Sequence, residues 1–126
     1  MLKSLILKID KALRSSPMAV LYSLLVLILC VMPSSELPSG PNDKISHILA
    51  FLGIAFLWEA VWKSWQKALL YGSIFAVAIE IIQGLLPESF HRSMDWKDAV
   101  ADVIGLLIGF LVYRIYLRVI EKLIAA

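Results

Sequence analysis

From Pro17 to Met32 the chain runs without a formal charge, and apolar stretches recur at 43–62, 67–86 and 98–118. A water-soluble fold could hide such runs only in a large interior, which a chain of 126 residues lacks. The hydrophobic fraction is 60%, where ordinary globular chains have about 45–50%. Bilayer lipid is therefore the solvent these runs require. The expected fold is all-α: a transmembrane domain over 16–126 with four spans, about 16–32, 43–62, 67–86 and 98–118, preceded by an amphipathic membrane-surface helix over 1–15.

Leu2, Leu5, Ile6, Ile9 and Leu13 recur at helical spacing, with Lys3, Lys8, Lys11 and Arg14 between them. That pattern suits a helix lying among anionic head groups, with docking on the rest of the protein as the alternative. Pro17 fits a helix's first turn. Pro33, Pro38, Gly40 and Pro41 make a loop that no helix crosses intact. Trp58, Trp62 and Trp65 gather at one expected boundary and Trp96 marks another. The lone Cys30 excludes an intrachain disulfide and reads as membrane packing. No small-x-small site follows the first apolar run, so a cleaved signal peptide is not expected.

Nine basic residues fall in the N-terminal tail, the 63–67 link and the C-terminus, against Lys44, Arg92 and Lys97 on the other side. Positive charge favours the cytoplasm, so a bacterial inner-membrane protein with both termini cytoplasmic is expected, its 33–42 and 87–97 loops outside. No basic face suggests a nucleic-acid partner.

Against this background the polar residues stand out. At about 1.5 Å per helical residue, His47 lies about 6 Å below the outer face, Glu80 and Gln83 about 9 and 4 Å below it, and Asp102 about 6 Å. Asp43 and His47 share one helical face, as do Glu80 and Gln83, and Asp95, Asp98 and Asp102 project together. Turned to hydrocarbon, an ionisable group costs about 3 kcal/mol or more, so these residues should face one another. Asp43, Lys44, His47, Glu80, Gln83, Arg92, Asp98 and Asp102 are the candidate ligand-binding residues.

Three chemistries fit them. One is a self-satisfied ion-pair network holding a bundle together. Another is a head-group pocket in which Arg92 and Lys44 meet a phosphate or carboxylate while the acids meet hydroxyls or an amine. The third is a metal or acid–base site using His47, Glu80, Asp98 and Asp102, with Glu80 as the candidate acid. There is no HxxxH or CxxC pair, no nucleophile motif and no glycine-rich phosphate loop. No catalytic residue, metal ligand set or cofactor is assigned, and enzymatic activity is not favoured. His91 reads as a solvated loop residue. Ala101, Gly105 and Gly109 form a small-residue ladder suited to a close helix partner, which would also serve a subunit of a larger complex. Glu59 is matched by Lys63 four residues on, an expected ion pair at the inner interface.

The pattern DKISH followed by Phe51, then EIIQ, then Arg92 six residues before Asp98, with Asp102 and Gly105 beyond, resembles the VanZ-like family of small bacterial membrane proteins. The likeness covers about Asp43 to Gly109. The family pattern has Asp-x-x-x-Asn where this chain has Asp98 and Asp102, which replaces an amide donor by a carboxylate that a proton or a nearby cation must balance. The family is named for a member associated with resistance to the lipoglycopeptide teicoplanin. The resemblance implies an outward-facing polar pocket that recognises an envelope lipid, a cell-wall precursor or a lipoglycopeptide head group, with membrane lipids as surroundings. A membrane-embedded acid–base or metal-assisted enzyme acting on an envelope lipid is the alternative, and a structural subunit the other.

Overall fold

The computed structural model describes residues 1–37, 39–40 and 42–126. Pro38 and Pro41, two of the prolines of the expected loop, lie outside the described residues. The order is α1 (Leu2–Leu13), α2 (Ser16–Val31), α3 (Asp43–Trp62), α4 (Trp65–Leu85) and α5 (Trp96–Ala125). Single 3-10 turns stand at Ser34–Glu36 and Glu88–Phe90. There is no strand among the described residues.

Helices α3, α4 and α5 are each long and apolar enough to cross a membrane. The expected first span is the 16-residue helix α2. It rises about 24 Å and reaches span length only together with α1, from which it bends by 60°. The last helix is longer than the expected 98–118: α5 covers 30 residues, about 45 Å, and overreaches a hydrocarbon core of about 30 Å. No residue of α1 is buried, and Leu2, Leu5 and Ile9 remain exposed. Asp10 ties it to the bundle, accepting hydrogen bonds from Tyr116 of α5 (2.6 Å) and from Arg14 (2.9 Å).

Polarity is arranged for lipid. Leu21, Leu24, Ile28, Leu70, Ile74, Ile81, Leu107 and Leu111 are exposed, whereas His47, Glu59, Glu80, Gln83, Asp98 and Asp102 are buried. The core between them is Val26 of α2, Phe51, Ile54 and Ala55 of α3, Ala76 and Ile79 of α4, and Leu106 and Phe110 of α5.

The closest helix pair is α3 with α5. A Cβ at Gly105 would collide with the Ile48 carbonyl, and one at Gly109 would come 2.7 Å from Ala55 Cβ. The backbones therefore meet where both glycines remove the side chain. A close partner of the Gly105–Gly109 ladder is thus α3 of the same chain.

The connection from α3 to α4 takes only Lys63 and Ser64, which sets the two helices antiparallel. Lys63 ends α3 in the left-handed region (φ 53°), its N–H returning to the Glu59 carbonyl at 2.7 Å. The expected Glu59–Lys63 pair is therefore not formed: Lys63 has left the helical face, and Glu59 binds the Arg114 guanidinium of α5. Trp58 stacks on Trp62 with ring centroids 4.5 Å apart and donates to Ser23 Oγ of α2 at 2.9 Å.

Candidate functional site

Three helix ends assemble the site. Asn42 starts α3, its side-chain oxygen accepting the Ile45 N–H at 3.0 Å, which puts Asp43, Lys44 and His47 in the first two turns. Asp95 starts α5 in the same way, accepting the Lys97 N–H at 2.9 Å, so Asp98 and Asp102 follow one above the other. Helix α4 ends at Leu85, ahead of Pro87, and delivers Glu80 and Gln83 in its last turns. Antiparallel packing then brings the start of α3, the end of α4 and the start of α5 to one end of the bundle.

There the side chains meet closely. His47 Nδ1 lies 2.7 Å from Asp102 Oδ1, so one proton is shared between them. On the other side of the ring, Nε2 faces Asp98 Oδ2 at 3.6 Å and Asp43 Oδ1 at 3.9 Å. Lys44 binds Asp95 at 3.0 Å, contacts Asp98, and lies 3.9 Å from Asp43. Glu80 Oε2 accepts the Asp95 N–H at 2.9 Å. Glu80 Oε1 and Asp102 Oδ2 are buried with no hydrogen-bond partner. Asp95, outside the spans, is held below the usual carboxylate range first by the Lys44 ammonium and then by the Lys97 N–H. Asp43, Lys44, His47, Glu80, Asp98 and Asp102 are thus brought together as one cluster.

Gln83 and Arg92 stand apart from it and do different work. Gln83 Nε2 donates to the Cys30 carbonyl at 2.8 Å. Arg92 donates through Nε to the Met32 carbonyl (3.1 Å) and through a terminal nitrogen to the Leu29 carbonyl (2.8 Å). The last carbonyls of a helix lack intrahelical donors, and α2 stops before Pro33, so these two side chains cap its C-terminus. Both cations expected to meet an anion are engaged by the protein itself: Lys44 by Asp95 and Asp98, Arg92 by the end of α2.

Beside the cluster lies an open cavity of about 470 Å³ lined by α2, α3 and residues Leu37, Ser39 and Gly40. Val26, Leu29, Leu37, Ala50 and Phe51 give it apolar surface, and Ser39, Asp43, Ser46, His47 and Arg92 contribute polar groups. His47 therefore belongs to both, with its two ring nitrogens facing carboxylates of the cluster and the residue also lining the cavity. Cys30, read from the sequence as packing, also lines this wall. Its signal was position: it sits in the last turn of α2, whose carbonyls the polar residues seek. Ala50 and Leu37 carry no sequence signal of this kind.

A family model described as VanZ/LLP1 matches residues 19–117. That stretch begins within α2 and includes every residue of the cluster and its cap. Neither a curated protein nor a solved structure matches the chain.

Proposed function

The chain belongs to the VanZ/LLP1 family and is a membrane protein, and from there we propose that it binds the head group of an envelope lipid. The observation that carries this reading is the cavity, whose lining combines apolar side chains of α2 and α3 with Asp43, His47 and Arg92. Its volume is about 470 Å³. That room suits a phosphorylated or amino head group with the first part of its chain, and the volume falls in the usual range for ligand pockets. A lipoglycopeptide could enter only by a part of itself, so a lipid or lipid-linked cell-wall precursor is the favoured occupant. The carboxylates and His47 supply acceptors for hydroxyls or an amine, and the Arg92 donors not used on α2 meet an anionic oxygen.

The excess of basic residues at the opposite end supports an inner-membrane orientation with both termini cytoplasmic and the cavity opening outward. A purely self-satisfied network is the weaker reading, because the ion pairs satisfy Lys44 and Asp95 yet leave Glu80 Oε1 and Asp102 Oδ2 without partners.

The test is native mass spectrometry of protein purified with its lipids. Wild type should carry a lipid adduct. Ala50→Leu, which fills the cavity from its wall, should lower that adduct at least tenfold with the melting temperature unchanged or raised. An undiminished adduct in Ala50→Leu overturns the reading. Labelling of a single cysteine at position 88, in a Cys30→Ala background, should occur from outside the cell; labelling from the cytoplasmic side alone reverses the orientation.

A further inference from the structure

Glu80 and Asp102 each have one carboxylate oxygen held and one left over. Glu80 Oε2 accepts the Asp95 N–H and Asp102 Oδ1 faces His47 Nδ1, while Glu80 Oε1 and Asp102 Oδ2 are buried without a partner. The held oxygens fix the direction of the free ones. Glu80 is 2% exposed and Asp102 0%, and a buried oxygen with nothing to bind needs an explanation. Donor atoms of His47, Glu80 and Asp102, one residue from each of α3, α4 and α5, lie within 4.8 Å of one another.

Charge sharpens the point. Asp43, Glu80, Asp95, Asp98 and Asp102 gather around Lys44 and His47, so negative charge remains in excess even with the imidazole protonated. Lys44 is committed to Asp95 and Asp98 and does not reach Glu80 or Asp102.

We propose that His47, Glu80 and Asp102 bind one divalent transition-metal ion, Zn²⁺ or Mn²⁺, at the junction of α3, α4 and α5. One imidazole nitrogen with two carboxylates suits such ions. Calcium and magnesium are bound by oxygen ligands, whereas the imidazole nitrogen here favours a transition-metal ion. His47 binds through Nδ1 as the neutral Nε2–H tautomer, so the proton now shared with Asp102 passes to Nε2 or, where Nε2 already carries one, is released as the ion enters. The Nε2–H then turns to Asp98 Oδ2, 3.6 Å away, an outer carboxylate orienting a ligating imidazole. The cavity edge at His47 is the route of entry. None of this depends on which lipid, if any, the cavity holds.

The experiment strips detergent-purified full-length protein with a chelator and reloads it with ZnCl₂ or MnCl₂ alone. One ion per chain should be retained, the melting temperature should rise with ion concentration, and X-ray absorption should show nitrogen and oxygen neighbours only. Glu80→Gln and Asp102→Asn, near-isosteric changes, should each weaken binding at least 100-fold. Glu59→Gln should not, although Glu59 also has a buried oxygen without a partner, at the other end of the bundle beside Arg114. If Glu80→Gln does not fold, Asp102→Asn alone carries the comparison. Failure to retain either ion stoichiometrically means the carboxylates are neutralised by protons and overturns the proposal. So does uptake unchanged in the folded variants, or a sulfur neighbour from Cys30.

Discussion

His47 of α3 and Asp102 of α5 meet at 2.7 Å inside the bundle, where Asp102 has no exposed surface. Breaking such a pair from one side strands the other group, which costs about 3–5 kcal/mol. His47→Leu should therefore lower stability by about that much in a detergent unfolding titration. His47→Leu with Asp102→Leu should recover most of the loss, because neither member of the pair is left buried without the other. A double variant as unstable as the sum of its singles would mean that the two residues act separately.

The same two helices meet backbone to backbone at Gly105, where the atom facing a new Cβ is the Ile48 carbonyl and not a yielding side chain. Gly105→Ala should destabilise by about 1–3 kcal/mol, since one backbone must move away from the other. That movement also separates His47 from Asp102. Gly40→Ala is the contrasting change, with nothing within 4 Å of the new Cβ, and should leave the melting temperature unaltered or slightly raised. Equal effects at the two glycines would contradict the account of the α3–α5 contact.

Arg92 spans two carbonyls of α2, at Leu29 and Met32. Hydrogen bonds from a charged donor are worth about 1.5–3 kcal/mol each when lost from a partly buried setting, so Arg92→Ala should loosen the last turn of α2. Arg92→Lys should restore little, because an ammonium lacks the planar fork that reaches both oxygens. Hydrogen exchange resolved by residue is the check: the amides of 29–32 should exchange faster in both variants while those of α5 do not change. Uniform acceleration along the chain would point to global instability instead.

How far the sequence led depended on whether a partner has a sequence signature. Carboxylates and histidine announce themselves in an apolar run, and helical spacing places Asp43 with His47 and Glu80 with Gln83 on common faces, so the cluster was legible before the fold was known. The Gly105–Gly109 spacing also signalled a close helix, though not that α3 of the same chain fills it. Carbonyl acceptors leave no trace in a sequence. For that reason the sequence did not show that Gln83 and Arg92 also cap α2. Glu59 misled for another reason: the four-residue rule holds only while a helix continues, and α3 stops at Lys63. Cavity walls built from Ala50 and Leu37 are set by tertiary packing alone.

At the opposite end, Asp10 governs how α1 lies against α5. Burial between the helices pushes its carboxyl up, but the hydrogen bonds from Tyr116 and Arg14, with the Arg14 charge, outweigh burial and hold it below the usual carboxylate range. A carboxyl whose pKa is lower when docked than when free contributes stability that is complete above the free value. That contribution disappears as pH falls through the docked value. Docking of α1 should hence be constant from about pH 5 to 8 and weaken below about pH 4. With Asp10 partly exposed and solvent-screened, the contribution should be about 1 kcal/mol or less. Spin labels on α1 and on the last turns of α5, in protein reconstituted in neutral lipid, should show a fixed distance that broadens on acidification. Tyr116→Phe should broaden it at neutral pH, since the shorter of the two Asp10 bonds is then gone. A distance unaffected by Tyr116→Phe and by acid would mean that lipid alone, and not Asp10, holds the amphipathic helix in place.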